Sequence, residues 1–169
     1  QVSWYQALEF CNRLSVKCGF KPYYTIDKKR DDPENRNLRM RWAVVINKGA
    51  DGFRLPSSAE WEYAARAGSK GDYFWGDEMD GDYCWYNGNS SGTTHDVSSK
   101  RPNRWGIYNI CGNVREWCFE WHPNFEGLYR IVRDGHYSMR ADNLKISQVD
   151  YQSPQFEFGF IGIRLARNK

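Results

Sequence analysis

The chain has 169 residues, of which 17% are aromatic, and its formal net charge is +3. Its length and ring content predict one domain over 1–169 with a sizeable core, and they exclude an intrinsically disordered chain. Lysine and arginine are mixed with aspartate and glutamate, so a nucleic-acid partner is not expected, and no apolar run reaches the roughly 20 residues that a transmembrane segment needs.

The N-terminus and the cysteines add two further limits. Gln1 stands directly against a helix start, so we expect an N-terminally trimmed chain, and the lack of a signal peptide decides nothing. The number of cysteines is odd, and none of them has CxxC spacing: Cys11, Cys18, Cys84, Cys111 and Cys118. Neither a zinc site nor a full disulfide framework is expected, and the redox compartment stays open.

Two helices are predicted from capping boxes. Ser3 and Gln6 form the first box, and apolar residues at helical spacing follow until Gly19, which predicts a helix over 3–17. Ser57 and Glu60 form the second box, directly after a proline. An apolar stripe follows the second box, and Gly68 ends that helix.

Strands and loops fill the rest of the first hundred residues. The apolar patch 23–26 is a candidate strand, and the charged stretch 27–39 that follows is expected to be a solvated loop. The β-prone run 42–46 predicts a second strand. From 69 to 102, glycine and short polar residues alternate with aromatic rings, which indicates long loops held down by those rings.

The stretch 104–121 is the centre of the chain. Apolar, aromatic and turn residues are too densely mixed there for a smooth helix or an alternating strand, so we expect an irregular buried turn. Oxygen donors at Asn109, Gly112, Val114 and Glu116 are spaced so that this turn could gather them around a hard cation. A buried aromatic turn with a hydrogen-bonded Glu116 explains the same residues, and both interpretations stay open.

The last third contains two predicted strands, 129–133 and 159–166, with an irregular segment between them. Phe156, Phe158 and Phe160 alternate along the end of that segment, so they would share one strand face. An exposed row of rings of this kind marks a binding site, whereas a buried row would fill the core.

Five motifs in the chain occur in the order of a known family: Arg54–Arg66, Phe74–Asp77, Asn109–Trp117, Arg130–Gly135 and Gly162–Ala166. Together they resemble the formylglycine-generating-enzyme (sulfatase-modifying factor) family. The resemblance covers nearly the whole chain and implies an α+β, C-type-lectin-like fold with two helices, a small twisted antiparallel sheet and extensive ordered loops. It also implies a structural calcium ion held by side-chain oxygens of Asn109 and Glu116 and by the carbonyls of Gly112 and Val114.

Catalysis is not expected, although the family contains enzymes. Its oxidising enzymes carry a reactive cysteine pair between the last two strands, whereas 135–159 contains no cysteine. Its iron enzymes use a histidine-rich metal set, whereas this chain has His95, His122 and His136 without an HxxxH pair. We therefore expect no catalytic residue and no redox cofactor; the alternative is an oxidising enzyme of this family that uses other chemistry.

The segment 135–160 mixes rings with short polar residues, as an antibody paratope does. With an intact scaffold and no cysteine pair, the chain resembles the Treponema-type variable proteins of diversity-generating retroelements, in which adenine-directed mutagenesis diversifies chosen codons. The candidate variable residues are Asp134, His136, Tyr137, Ser138, Asp142, Asn143, Val149, Asp150, Tyr151, Ser153, Phe156, Phe158 and Phe160. This resemblance implies a non-catalytic protein that binds a protein or other macromolecular ligand. We expect His136, Tyr137, Tyr151 and Phe156 to share one open face.

Localisation follows from the same resemblance. Such variable proteins are similar to surface-displayed lipoproteins, so we expect a place at the cell surface, with a lipid anchor on an N-terminal segment missing from this sequence. A structural domain of a larger surface protein, without a ligand of its own, is a third interpretation.

Overall fold

The structure is a computed structural model that describes residues 1–168. Its helices and strands, in chain order, are α1 (Trp4–Lys17), β1 (Tyr24–Asp31), β2 (Trp42–Ile46), β3 (Phe53–Arg54), α2 (Ser58–Arg66), β4 (Arg115–Trp121), β5 (Arg130–Arg133), β6 (Val149–Gln152), β7 (Ile161–Gly162) and β8 (Ala166–Arg167). Two short 3-10 helices cover Pro123–Phe125 and Ala141–Leu144. The fold is α+β, as the sequence predicts.

Both helices begin at the capping boxes that the sequence contains. The Ser3 hydroxyl accepts from the backbone N–H of Gln6, whose side chain accepts from the Ser3 N–H. Ser57 and Glu60 do the same for α2. Each box satisfies two N–H groups that have no partner inside the helix, and therefore fixes the first turn.

The strands form three small sheets. β1 pairs antiparallel with β2, β3 pairs antiparallel with β8, and the largest sheet has the order β6-β5-β4-β7. In that sheet β4 and β6 both run antiparallel to β5, whereas β7 runs parallel to β4. The small sheet is therefore mainly antiparallel, as the resemblance implies, with one parallel pairing between β4 and β7.

Several strand boundaries differ from the prediction. β1 continues through residues 27–31, which were expected to be loop, because they still pair with β2 across an irregularity. β4 forms inside the aromatic stretch where no strand was expected, and β6 forms inside the irregular segment. The predicted closing strand 159–166 is divided into β7 and β8, which belong to different sheets.

Two clusters of buried residues lie on either side of the four-stranded sheet. The first, centred on Trp4, Leu8 and Trp117, packs α1 against β4 and β5. The second, centred on Trp61 and Ile110, packs α2 against the long loops and the far end of the chain. Rings between residues 73 and 86 belong to this second cluster, which confirms that aromatic residues hold those loops down. Within residues 1–168, none of the helices has the length and apolar character needed to cross a membrane.

Candidate functional site

Four rings from the last third of the chain form one continuous row, called the aromatic row below. Phe156 is exposed, whereas His136, Phe158 and Phe160 are partly buried, the two phenylalanines against the first core cluster. His136 stacks on Phe160 with centroids 4.5 Å apart, and Phe160 stacks on Phe158 at 5.2 Å. Phe156 follows at 5.8 Å from Phe158 and has 44% of its surface exposed. The three phenylalanines were predicted to share one strand face; their rings do contact one another in order, but the segment is irregular and not a strand.

Local structure places these rings in the row. His136 follows β5 after Gly135, where a Cβ atom would lie 2.1 Å from the Leu144 side chain, so the backbone is held tightly there. At the other end, the Ile161 N–H donates to the Phe158 carbonyl at 3.1 Å and turns the chain into β7. The row therefore rests on two strands of the largest sheet.

Charged and polar groups flank the aromatic row. The Arg115 guanidinium forms an ion pair with Asp150 and lies 6.0 Å from the Phe160 ring centroid. The Ser138 hydroxyl lies 2.9 Å from Nδ1 of His136, and the Tyr137 ring is 5.7 Å from the imidazole. Burial, followed by the Arg115 charge, lowers the pKa of His136 from its ordinary value. Rings bordered by short polar groups and one ion pair suit contact with a macromolecule.

Tyr151 belongs to a different group of rings. Its ring lies 4.6 Å from Phe125 and 5.0 Å from both Tyr129 and His122. Neighbouring residues of a strand point to opposite faces, so Tyr151 points away from the side of β6 on which Asp150 meets Arg115. The expectation that Tyr151 shares one surface with the aromatic row is therefore wrong.

Two further candidate residues are buried, which contradicts their expected place at a surface. Asp134 is 6% exposed, and its Oδ1 accepts from the N–H groups of Gly112 and Gly135. Burial, followed by the charge of Glu116, raises the pKa of Asp134 well above its usual range. Ser153 is 3% exposed and donates to Asn37. Both side chains hold loops together and do not face a ligand.

The remaining candidates are at least partly exposed. Ser138 is exposed beside His136, and Val149 is 42% exposed on β6. Asp142 and Asn143 are exposed in the short helix Ala141–Leu144. These positions add accessible polar and apolar groups to the same third of the chain, but the contacts that define the aromatic row do not include them.

Three of the predicted calcium residues, Asn109, Gly112 and Val114, lie in the turn that leads into β4, and the fourth, Glu116, is the second residue of β4. Asn109 and Asn113 have positive φ, as does Gly112, so this turn is as irregular as the sequence indicates. Asn109 is 6% exposed, and its Oδ1 has no hydrogen-bond donor in the described part of the chain. A buried acceptor without a partner costs free energy, and a hard cation would satisfy it. Asn109 therefore fits the calcium that the family implies.

Glu116 is buried beside this turn and is held by two side chains. The Trp61 indole N–H donates to its Oε2 at 2.7 Å, and Arg164 binds both carboxylate oxygens at 2.8 Å. Arg164 also donates to the carbonyls of Tyr108 and Asn109. The interpretation of a buried turn with a hydrogen-bonded Glu116 is therefore confirmed, and a calcium ion would share this carboxylate with a guanidinium.

Arg164 is the site residue that sequence reasoning missed. It stands 48 positions from Glu116, within the family motif Gly162–Ala166. That motif was the available signal, because an arginine in an otherwise apolar run needs a partner once it is buried.

The cysteines are placed as packing residues. Cys11, Cys84, Cys111 and Cys118 are buried and free, and Cys18 is exposed. Burial raises the pKa of Cys11 to about 12, and it raises the pKa of Cys111 and Cys118 well above the usual range. Thiols held in this protonated form are poor nucleophiles. Within residues 1–168, no three His, Cys, Asp or Glu side chains are grouped so that they could hold a metal ion.

Comparisons with known proteins give a consistent result. A family model described as "Sulfatase-modifying factor enzyme 1-like domain" matches residues 1–169. The solved structure of Treponema denticola variable protein 1 superposes with a TM-score of 0.85 at 32% identity, over 98% of this chain and 69% of that one.

Two curated relatives differ in their named roles. Chaperone protein LppX of Paenibacillus barcinonensis is 40% identical over 87% of this chain and 61% of its own length. The formylglycine-generating enzyme of Streptomyces coelicolor is 32% identical over 76% of this chain and 48% of its own length. The chain thus spans about half to three-fifths of the length of these relatives.

Proposed function

The chain belongs to the family of sulfatase-modifying factor enzyme 1-like domains, and from this premise we propose that it is a non-catalytic protein that binds a protein or other macromolecule through the aromatic row. The match to Treponema denticola variable protein 1 and the name of the chaperone relative both support a binding role.

The observation that carries this proposal is the continuous, partly exposed row of rings from His136 to Phe156. Rings bury a large area at a low entropic cost, and a few of them usually dominate the affinity of an interface. Stacking holds the rings of His136, Phe160 and Phe158 in place before a ligand arrives, so less side-chain freedom is lost on binding. The Arg115–Asp150 pair at its edge would orient the partner.

We propose a non-catalytic protein because of the number and placement of its cysteines. Residues 135–159, which stand where the oxidising enzymes carry their cysteine pair, contain no cysteine. The cysteines that the chain does have are mostly buried, with raised pKa values at Cys11, Cys111 and Cys118. Thiol redox chemistry needs an accessible thiolate.

Binding through the row can be tested without a known ligand. A phage-displayed peptide library is selected on the purified chain, and the enriched clones are titrated against Phe156→Ala and against Tyr63→Ala. Tyr63 is a matched control because it is 70% exposed on α2. We expect a loss of affinity of at least about tenfold for Phe156→Ala alone. Clones that bind both variants as tightly as the parent would contradict the proposal.

Diversification is tested at the level of DNA. We expect the source genome to hold a near-repeat of the DNA for residues 134–160 with adenines at the exposed candidate codons, beside a reverse-transcriptase gene. Sequencing of many source cells should then find variation at His136, Phe156, Phe158 and Phe160 and constancy at buried Asp134. If the codons are uniform and no near-repeat is found, the protein is a binding domain of fixed sequence, and the proposal of diversification is refuted.

The oxidising-enzyme alternative has its own assay. Oxygen consumption by the purified chain is followed with thiol substrates, with and without copper or iron. The proposal predicts no turnover above that of the free metal, and sustained turnover would overturn it.

We also propose that a structural calcium ion binds at Asn109, as the family resemblance implies, and that the protein is displayed at the cell surface, as the resemblance to the variable proteins implies. Support for the ion is the unpartnered Asn109 Oδ1. Limited proteolysis of intact source cells tests the location: release of fragments of this chain would support surface display, and full protection until lysis would contradict it.

A further inference from the structure

Two buried cysteines lie beside each other in the second core cluster. A single parallel backbone bridge joins Trp85 to Gly112, and Cys84 and Cys111 each stand one residue before a bridge partner. The Asn113 N–H donates to the Trp85 carbonyl at 2.9 Å and fixes this register. Neighbouring parallel chains lie about 4.8 Å apart, which falls within the Cα separations that a disulfide spans.

The approach of the two backbones is enforced at Gly112. A Cβ atom there would lie 2.1 Å from the Trp85 carbonyl oxygen, and the φ of +76° also favours glycine. A larger residue would push the two segments apart. The contact that brings the cysteines together is therefore a fixed feature of the fold and not a chance approach of two loops.

In the reduced protein each of the two thiols makes one weak hydrogen bond. Sγ of Cys84 lies 3.5 Å from the Met79 sulfur, and Sγ of Cys111 lies 3.5 Å from the Leu144 carbonyl oxygen. Burial, followed by the neighbouring Cys84 thiol, raises the pKa of Cys111. Thiols are weak hydrogen-bond donors, so little is lost when these contacts are replaced by a covalent bond.

We propose that Cys84 and Cys111 form a disulfide when the chain folds in an oxidising compartment. One bond forms between the two Sγ atoms, the two S–H protons leave, and the two electrons reduce a disulfide oxidant, such as oxidised glutathione, to two thiols. Because the folded protein buries both thiols away from any oxidant, the bond forms during folding. The cross-link ties the loops after α2 to the turn that leads into β4.

The other two buried cysteines serve as internal controls. Cys118 lies in the same cluster but borders Glu120, Arg133 and Glu116. Cys11 lies in the first cluster, beside α1. Both are as buried as the proposed pair, so burial alone does not distinguish the pair; its position across the backbone bridge does.

The experiment uses a Cys18→Ser parent, which removes the exposed thiol, exported to the bacterial periplasm. The purified chain is denatured, alkylated without reductant and cut with trypsin. The two cysteines fall on separate peptides, 71–100 and 105–115. We expect these peptides to be linked, two of the four remaining cysteines to be alkylated, and reductant to lower the melting temperature.

Two variants make the result specific. Cys118→Ser should retain the linked peptides, whereas Cys84→Ser should lose them and lose the effect of reductant on the melting temperature. Alkylation of all four cysteines in the parent would overturn the proposal, as would a link that involves Cys11 or Cys118.

Discussion

The imidazole of His136 stacks on the ring of Phe160, with centroids 4.5 Å apart and ring planes 21° apart. One ring follows β5 and the other precedes β7, so this contact joins the two ends of the segment that forms the proposed binding surface. His136 therefore links the two ends of this segment and is also the titratable residue of the aromatic row.

Protonation of His136 should weaken the fold at acid pH. Burial, followed by the Arg115 charge, lowers its folded-state pKa below the ordinary 6.5, so the unfolded chain binds the proton more readily. The stability that comes from burying a neutral His136 is fully present above pH 6.5. It is lost as the pH falls from 6.5 through the lower folded-state pKa. Urea unfolding between about pH 8 and about pH 5 should show a smaller loss of stability in His136→Phe than in the parent. An identical pH dependence in both proteins would contradict this.

Tyr151 should matter for stability more than for binding. Its ring packs against Phe125, Tyr129 and His122, apart from the aromatic row. Ring pairs of this kind contribute on the order of 1 kcal/mol each, so Tyr151→Ala, which removes three of them, should lower the free energy of unfolding by about 3 kcal/mol. Val149→Ala on the same strand, at a residue 42% exposed, should stay within about 0.5 kcal/mol. Equal losses in the two variants of β6 would show that the ring cluster contributes little.

The two helices could be predicted from the sequence because their signals are local. Ser3 with Gln6 and Ser57 with Glu60 act within one helical turn, and the structure confirms both starts. β2 was predicted with its observed bounds for a similar reason, since Trp42–Ile46 is a continuous β-prone run.

Long-range pairing explains what the sequence missed. β6 has no distinctive composition and exists because it pairs residue by residue with β5. That register also sends Tyr151 to the opposite side from Asp150, which residue types alone do not show. Arg164 meets Glu116 across 48 positions. The contacts among Phe156, Phe158 and Phe160, by contrast, join residues only two positions apart, so their alternation indicated them even though the segment is not a strand.

Replacing Arg130 with lysine should destabilise the fold. Its guanidinium lies 3.9 Å from the Trp4 ring and 3.4 Å from the Trp121 ring, and it donates to the Phe119 carbonyl. A planar cation between two rings is stabilised by stacking that an ammonium group does not reproduce. We expect Arg130→Lys to lower the free energy of unfolding by about 2 kcal/mol, as measured by chemical denaturation.

The control for Arg130 is an exposed arginine. Arg101 has a side chain that is 66% exposed and pairs with Asp82 at the surface, so Arg101→Lys should change stability by less than about 0.5 kcal/mol. Two equally mild substitutions would show that the stacked geometry is not important for the fold.

Calcium should stabilise the fold through Asn109. The Oδ1 of this residue is buried without a donor, and its backbone has a φ of +45°. Asn109→Gly removes the oxygen and keeps a residue that accepts this φ at no steric cost. We expect millimolar calcium to raise the melting temperature of the parent, because an ion that binds the folded state alone stabilises it, and to leave the melting temperature of Asn109→Gly unchanged.

Magnesium at the same concentration controls for ionic strength, since it demands a smaller octahedral site and releases its water reluctantly. Asn109→Asp sharpens the test, because an added charge strengthens calcium binding but adds a further buried carboxylate to Glu116 and Asp134 when the ion is removed. That variant should therefore be less stable than the parent in a chelator and should gain more from calcium. If calcium changes the melting temperature of neither the parent nor Asn109→Asp, the turn is held by Arg164 and Glu116 without an ion.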